Sequence, residues 1–541
     1  MDSTGNYSVA EGYATIASGG FSHAEGYTTT SSGNYSHSEG GQTTAIGDYS
    51  HSEGYLTISS GATSHAEGSQ TTSSGLNSHS EGNLTTAIGQ GAHAEGIYTV
   101  AIGNRSHSEG DTTTASGVAS HAEGQNTLAS GANGSHAEGR NSIASGIASH
   151  AEGWGATASG DRSHAEGSAT TADGYASHAE GVNTKATGSQ AHSEGNTTIA
   201  SNDFSHAEGY QTTANGYAAH AEGIGTVSSF VSTHAEGNSS TASGVVSHAE
   251  GLSSVASGNY SHAEGAYTIT IGQSSHSEGY YTTAGNDYSH AEGYYTTANG
   301  SISHSEGGTT TASGDYSHAE GNATRASGYI SHAEGGGTTA SGNRSHSEGY
   351  NTIASSEYSH AEGQVTRASA IASHAEGRET TASGNYGSHA EGEYTVASGV
   401  GSHAEGGSTI ASGLHAHAEG VLTTAGGNSS HAEGSYTTAD GDYSHAEGQS
   451  NYAFGTYSHA GGFGSNALGV NSFIHSYSST VSGTRSVVLG GQGITGSAND
   501  TVYMPKVELA EAGEGIIMKS PDGTRYKLTI ANGGTVSVTL A

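Results

Sequence analysis

Residues 22–49 read SHAEGYTTTSSGNY and then SHSEGGQTTAIGDY, which are two copies of one fourteen-residue unit. The histidines mark this repeat, because 32 of the 34 histidines fall fourteen residues apart, except at two single-residue insertions near Gly134 and Gly387. A copy without histidine, residues 8–12, opens the chain, and the frame persists to residues 486–490. About 34 units therefore occupy roughly residues 6–490.

Each unit consists of two seven-residue halves, hereafter the first and the second seven. Both share the pattern small-x-small-x-Gly, as Ser-His-Ala-Glu-Gly and Thr-x-Ala-Ser-Gly. Small residues at every second position predict β strands, and the apolar spacing of an amphipathic helix is missing. Two short strands and two glycine corners predict one coil of a β-solenoid. The two prolines, Pro505 and Pro521, lie outside the repeats, and the two insertions are expected to be corner bulges.

Strand alternation predicts which side chains face inward. Ser, Ala and Gly of each seven are expected inside a coil that is too flat for larger groups, while His, Glu and the variable residue of the second seven point outward. The variable position holds Thr30, Ile58, Lys185, Arg325 and Tyr452 among others. Because the His/Glu strand is nearly invariant along the chain, we expect it to meet other copies of the chain and the variable strand to meet solvent.

Composition excludes several classes of protein. The 541 residues include 88 glycines and no cysteine, so there is no disulfide framework, thiol nucleophile or cysteine metal site. A net charge of −37 with only 13 Lys and Arg argues against a nucleic-acid partner. Hydrophobic residues make up 31% of the chain. The chain contains no run of about 18 apolar residues, so no membrane helix is predicted.

The repeated glutamate accounts for 32 of the 50 acidic residues. Exposed like charges at the ~4.8 Å spacing of strands would repel one another, so we expect an inter-chain hydrogen bond between His and Glu to neutralise part of this column. Such a polar seam specifies register and partner more than it adds stability. Protonation of both groups near pH ~4–5 is expected to loosen the assembly.

The seven-residue motif resembles the head repeat of YadA-like trimeric adhesins, S-x-A-x-G, and residues 486–490 (Ser-Val-Val-Leu-Gly) come close to its S-V-A-I-G form. The resemblance implies a left-handed parallel β-roll, assembled as a homotrimer with the two variable positions of the motif near the subunit contacts. Here His and Glu replace the family's Val and Ile almost throughout. The predicted trimer interface comprises His23, Glu25, His37, Glu39, His51, Glu53, His65, Glu67, His248, Glu250, His318, Glu320, His445, Glu447, Val487 and Leu489.

The chain is predicted to be all-β, with a repetitive shaft at residues 1–490 and a transition with a small β-domain at residues 491–541. In the second part we expect a strand at 502–507, a turn at 520–523, and a hairpin of 525–530 with 535–540 across Asn532, Gly533 and Gly534. Its S-P-D-G-T-R-Y stretch is similar to short C-terminal β-modules of phage fibre and tail proteins. Apolar residues that gather before it, such as Phe473 and Val488, predict a shift from polar to apolar contacts.

These features predict a structural, adhesive trimeric fibre of a phage virion, attached to capsid or tail. The chain enters the repeat directly after Met1, so we expect no signal peptide, synthesis in the host cytoplasm and release by lysis. Expected partners are two further copies, other virion proteins and host surface glycans, with no nucleic acid and no membrane. The alternative is a secreted bacterial autotransporter-type adhesin.

Catalysis is not expected, because an active site is local and singular whereas Ser-His-x-Glu recurs some thirty times. No cofactor is expected, although divalent metal held on a trimer axis by the repeated His and Glu is an alternative. The His415 and His417 doublet is a separate candidate for a single metal site, and a variant corner is the favoured interpretation of it. A flat threonine array for ice binding is a further alternative, and residues such as Lys185 and Arg325 interrupt that array. Tyrosines at the corners are expected either to stack on neighbours one coil away or to contact sugars.

Overall fold

The computed structural model describes residues 1–508, 515–530 and 534–541, and every regular element in that part of the chain is a β strand. The chain divides into two compact units, Met1–Tyr316 and Ser317–Ala541. Among the described residues, no helix has the length and apolar character that crossing a bilayer requires. The predicted division at residue 490 stays a prediction.

Each fourteen-residue unit forms one coil with a long and a short strand, as the sequence predicts. The second full coil shows the standard form, with strands His23–Tyr27 and Thr30–Ser31. In Met1–Tyr316 this pattern extends from Asp2–Ser3 and Val9–Tyr13 to His304–Gly308 and Thr311–Ala312. Four long strands are shortened to two residues: His121–Ala122, His234–Ala235, His431–Ala432 and His445–Ala446.

The second unit contains coils of the same form. They run from His318–Asn322 and Arg325–Ala326 to the last rungs Val487–Gln492, Thr495–Gly496 and Val502–Tyr503. The expected strand at 502–507 is therefore limited to Val502–Tyr503, which pairs in parallel with Val487–Val488 as a further rung.

Within each unit the coils stack in parallel, and apart from a register shift between His475 and Tyr477 they are in register, so equivalent residues lie side by side. His23 pairs with His37, and Glu25 pairs with Glu39. The single-residue insertions leave this register intact, because His121 pairs with His136 across the first of them. The extra residue sits in the corner as Gly134, with a positive φ of 84°, which confirms a corner bulge.

The interior is filled by small side chains, as expected. Ser22, Ala24, Thr29 and Ser31 are buried, and equivalent residues fill coil after coil. The buried serine also closes its corner, since Ser22 Oγ donates to the carbonyl oxygen of Gly19 at 2.8 Å. Such an interior buries little apolar area per residue, which limits the hydrophobic stabilisation of a single chain.

Two expectations about the interior are wrong in detail. Glycine of the first seven, such as Gly26, does not point inward but is exposed with a φ of 111°, because the strand alternation has ended there. Larger side chains do enter the last coils, where Ile474, Val481 and Val488 are fully buried. Aliphatic groups replace alanine there, so the final coils have an apolar core.

The corners also differ from the glycine turns that the sequence predicts. The left-handed positions are occupied mostly by other residues, for example Thr28 with φ 57° and Tyr35 with φ 59°. Glycine is required instead where coils approach closely: a Cβ on Gly33 would lie 2.1 Å from the carbonyl oxygen of Gly47. The repeated glycine thus permits tight stacking rather than the turn itself.

The chain ends in an antiparallel three-stranded sheet, hereafter the C-terminal sheet, formed by Ile516–Lys519, Arg525–Ile530 and Val536–Leu540. The predicted pairing of the last two strands is confirmed, with Leu528 opposite Val538. The turn at 520–523 is confirmed by a hydrogen bond from the Gly523 amide to the Ser520 carbonyl. Asn532 and Gly533 of the predicted connection lie outside the described residues, and the strand Ile516–Lys519 was not anticipated.

Candidate functional site

The long strands present one continuous polar surface in each unit, hereafter the seam face. Its two parallel rows are the histidine column and the glutamate column, which flank the buried alanine or serine of every long strand. In the first unit the histidine column runs from His23 to His304, and in the second from His318 to His459. Both columns are only partly covered, with side-chain exposures of 37% for His23 and 40% for Glu25.

Imidazole rings of successive coils stack face to face along the histidine column. The ring centroids of His23 and His37 are 4.8 Å apart with planes 4° from parallel, and His178 and His192 show 4.9 Å and 1°. This spacing is that of the strands, so backbone pairing sets the stack. Protonated rings at this distance would repel one another, and the stack therefore favours neutral imidazole.

The histidine pKa values reflect this environment. Burial lowers the pKa of His51 from its ordinary value, and the neighbouring His37 lowers it further. The same two causes, burial first and adjacent histidines second, lower the pKa of His93, His206 and His374. These column histidines are consequently neutral at physiological pH.

Glutamate and histidine of one coil lie close together without forming a short hydrogen bond. The distance from Nε2 to Oε2 is 3.7 Å for His23 and Glu25 and 3.5 Å for His51 and Glu53. The Nε2 atoms of His23, His51 and His93 are shielded from solvent and have no hydrogen-bond partner within the described part of the chain. A buried polar atom without a partner costs roughly 1–3 kcal/mol, so this surface has unmet hydrogen-bonding capacity.

The glutamate column lowers its charge by sharing protons. Hydrogen bonding to Glu391, then burial, raises the pKa of Glu376 to about 7, and hydrogen bonding to Glu419 raises that of Glu405 to about 7. The intervening residues respond in the opposite sense, because a hydrogen bond from Glu376 lowers the pKa of Glu391. Raised and lowered carboxyl pKa values thus alternate over the four successive coils of Glu376, Glu391, Glu405 and Glu419.

A raised carboxyl pKa also occurs in the first unit. Burial, followed by hydrogen bonds that protonated Glu292 donates to the glutamates of the adjacent coils, raises the pKa of Glu292 to about 7. The sequence indicates the repulsion within this column, and in these coils hydrogen bonding between neighbouring glutamates offsets it, while the expected inter-chain hydrogen bond between His and Glu stays a prediction. Only the in-register stacking of the coils makes the contact between glutamates available.

The columns also bring metal-ligating atoms together. His23, Glu25 and His37 place one ligand atom each within 4.8 Å of one another, and the next coils repeat this arrangement. Imidazole with carboxylate suits zinc and other divalent ions. Ions in every coil would lie about 5 Å apart, however, and their mutual repulsion disfavours full occupancy.

The His415 and His417 doublet does not lie on one extended strand as the spacing suggested. His415 occupies a corner in the left-handed conformation, with φ 53°, and the strand begins only at His417. His417 stacks instead with His403 and His431 at 4.8 Å on either side. The premise of alternation is therefore wrong for this pair, and metal binding by it stays a prediction.

The seam face becomes apolar at the last coils. The position of the column histidine passes from His459 to Phe473 and Val487, and the rings of His459 and Phe473 stack at 4.5 Å. Leu489 stands in register with the glutamate position and is 41% exposed. The expected change from polar to apolar residues is present, while the role of Val487 and Leu489 as trimer contacts stays a prediction, as it does for the His and Glu residues predicted with them.

The corners carry a different ladder of aromatic rings. Tyr35 and Tyr49 stack at 4.9 Å with planes 4° apart, and Phe21 stacks on Tyr35 in the same way. Tyr267, Tyr281 and Tyr295 form a second such run. Stacking between coils is thus confirmed for these tyrosines, and a ring with neighbours on both sides, such as Tyr35, offers mainly its edge and hydroxyl to a sugar.

Sequence reasoning missed a hydrogen-bonded brace at the same corners. The amide of Asn34 donates to Asp48 Oδ1 of the next coil at 2.8 Å, and the amide of Gly20 donates to Asn34 Oδ1 at 3.1 Å. The second unit repeats this contact with Asn428 and Asp442. The signal was the frequent Asn or Asp directly after the glycine of the second seven.

Five segments of the chain match the model of the YadA head domain repeat, each as two copies: residues 80–106, 108–133, 137–163, 235–261 and 390–416. The chain carries YadA head domain repeats. No curated protein sequence matches the chain. The YadA head repeat and the β-solenoid together are those of a structural adhesin rather than of an enzyme.

Proposed function

We propose that three copies of this chain assemble around a common axis through their seam faces and form an adhesive fibre without enzymatic activity. The observation that carries the proposal is the seam face itself, a continuous pair of histidine and glutamate columns that one chain covers only in part, with side-chain exposures of 37% for His23 and 40% for Glu25. The YadA head repeat supports the number three, because YadA-like adhesins are homotrimers. The alanine and serine interior, which stabilises one chain weakly, supports the need for partners.

A lone chain would leave both columns half exposed, with partly charged carboxyl groups at the strand spacing. Approach of two further seam faces would cover the exposed parts of both columns and bring imidazole and carboxyl groups of different chains together. The proton sharing between residues such as Glu376 and Glu391 lowers the charge that this approach must bring together. The interface therefore combines neutral histidines with a glutamate column that carries reduced charge.

Single cysteines test the orientation, since the chain has none of its own. His248→Cys lies on the seam face, and Val255→Cys lies on the short strand of the same coil. In a sample that sediments at three times the chain mass of 53.7 kDa, we expect oxidation to link His248→Cys between chains and to leave Val255→Cys unlinked. A monomer, or linkage of Val255→Cys alone, would contradict the proposal.

We further propose that the fibre belongs to a phage virion, where it contacts other virion proteins and the host surface and reaches the medium by lysis. The support is the S-P-D-G-T-R-Y stretch at residues 520–526, which is similar to C-terminal modules of phage fibre and tail proteins. The second candidate is a bacterial surface adhesin, which the YadA head repeat favours. Immunogold labelling separates them: label on released phage particles is expected, and label on intact cells alone would favour the bacterial adhesin.

A further inference from the structure

The C-terminal sheet has two faces of opposite character. Strand alternation and the observed register place eight apolar residues together on one side, hereafter the apolar face. These residues are Ile516, Met518, Tyr526, Leu528, Ile530, Val536, Val538 and Leu540. The other face carries the cations Lys519, Arg525 and Lys527 together with Ile517 and three hydroxyl residues.

The apolar face is largely open to solvent. Six of its eight residues are exposed, from 45% for Ile516 to 60% for Val538 and 77% for Leu540, and the described part of the chain does not cover them, while Tyr526 and Leu528 on the central strand are half-buried. Six such side chains present on the order of 600 Å² of apolar surface, which approaches the ~800 Å² that each partner contributes to a standard interface. A three-stranded sheet needs such a face to be covered for its own stability.

The composition of the apolar face indicates what covers it. It carries no charged residue, because all three cations of the sheet lie on the opposite side. An uncharged apolar surface can pack against an identical surface without burying an unpaired charge. The area and the absence of charge therefore favour further copies of the same sheet as the occupant.

The repeats create a need for such a contact. Every coil offers nearly the same seam face. Two chains that shift by one coil therefore form equivalent contacts along the shaft and lose only the contacts of one coil at the end. Register is weakly specified by a repetitive surface of this kind. The C-terminal sheet is not part of the repeat, so its self-association would select one register.

We propose that the apolar faces of three C-terminal sheets pack together and fix the chains of the fibre in register. This inference rests on the homotrimer proposed above. In this arrangement Ile530, Val538, Leu540 and their neighbours select the partner and fix the register. The seam face supplies the contacts along the shaft. Loss of the sheet contact would leave the coils folded and the register of the chains mixed.

Cysteine variants of two adjacent residues test the contact in the full chain. Val538→Cys lies on the apolar face, and Thr539→Cys, next to it, lies on the opposite face. With a short bismaleimide we expect cross-linking between chains for Val538→Cys and little for Thr539→Cys. In a sample that sediments as a trimer, equal linkage of the two variants, or none for Val538→Cys, would overturn the inference while leaving the homotrimer intact.

A charge placed on either face tests the assigned role. Val538→Glu should lower the yield of in-register trimer after refolding by at least about tenfold, because an ionised carboxyl buried without a partner disfavours the packed state. Thr539→Glu, which adds the same charge beside Lys527, should assemble like the unmodified chain. Register is measured by energy transfer between dyes at one coil. Undiminished assembly of Val538→Glu would overturn the inference, and a monomeric unmodified chain would overturn the homotrimer as well.

Discussion

Glycine stands at the end of the second seven in most coils, where neighbouring coils approach closely, and Asn202, Phe230, Asn286, Ser356 and Ala370 replace it in the others. A Cβ built on Gly413 would lie 1.9 Å from the carbonyl oxygen of Gly427, closer than any real contact permits. Gly407, in the same coil, has only Val421 Cγ2 near that position, at 3.9 Å. The two glycines therefore have different physical roles although they stand six residues apart.

Substitution of these two glycines should separate close approach from flexibility. Gly413→Ala is expected to lower the local stability of its coil by about 1–3 kcal/mol, because the backbone of the next coil must move away. Gly407→Ala should change it by less than ~0.5 kcal/mol, as is usual for surface positions. Hydrogen exchange of the amides in adjacent coils measures both, and equal protection in the two variants would show that this contact is unimportant.

The serine that opens each unit has a comparable local role. Ser402 Oγ donates to the carbonyl oxygen of Gly399 at 2.8 Å, which closes the corner before the long strand. In other coils alanine occupies this position, for example Ala92 and Ala416. The loss of one such hydrogen bond is therefore tolerated among the stacked coils. A net value of about 1 kcal/mol for one hydrogen bond is consistent with that tolerance.

At the scale of the columns, histidine governs the acid side of the stability profile. The folded chain lowers the pKa of residues such as His51 and His374 below the ordinary 6.5, so it stabilises the neutral form. That contribution is complete above about pH 6.5 and is lost as the pH falls through the lowered pKa. The melting temperature should therefore fall below pH ~6, and an unchanged melting temperature down to pH ~4 would contradict neutral stacked histidines.

Glutamate adds a component of opposite sign between pH 4.5 and 7. The pKa values of Glu376 and Glu405 are raised from 4.5 to about 7, so their protonated forms stabilise the fold fully below pH 4.5 and this contribution is lost as the pH rises through 7. We expect this contribution to lower the melting temperature as the pH rises from 4.5 to about 7, with little further change once these groups are ionised in both states. The double variant Glu376→Gln and Glu405→Gln keeps a hydrogen-bond donor without the proton equilibrium.

This variant serves as the control for the glutamate component. Between pH 4.5 and 7 its melting temperature should rise more steeply with pH than that of the unmodified chain, because the falling glutamate contribution is removed and the histidine column is untouched. The same pH dependence in both proteins would show that carboxyl sharing in these coils does not contribute to stability. The sequence anticipates the loss of stability in acid, whereas the glutamate component follows from in-register contacts between glutamates.

At the scale of the whole molecule, the coil and its small-residue interior could be predicted because some thirty copies of one pattern reinforce a weak local signal. The features that could not be predicted depend on contacts between neighbouring coils or on segments that occur only once in the chain. Proton sharing between Glu376 and Glu391 requires the stacking distance. The strand Ile516–Lys519 occurs once and lacks the polar alternation that marks the other strands.

The same distinction explains the corners. The sequence suggests that glycine supplies the left-handed residues, since glycine adopts them without strain. The structure places Tyr35 and Thr28 there, and Gly33 where the coils approach closely. The repeat thus identifies the constrained positions, whereas the contacts in the folded chain show the physical reason for each constraint.

The central claim is that three seam faces converge on a common axis. Electron cryomicroscopy of the assembled protein tests it most directly, through a cross-section at a coil such as that of His248 and Glu250. We predict three rolls around the axis, with imidazole and carboxyl density innermost and the short strand of Val255 on the outside. A single roll, or three rolls with the histidine and glutamate columns on the outer surface, would contradict the account.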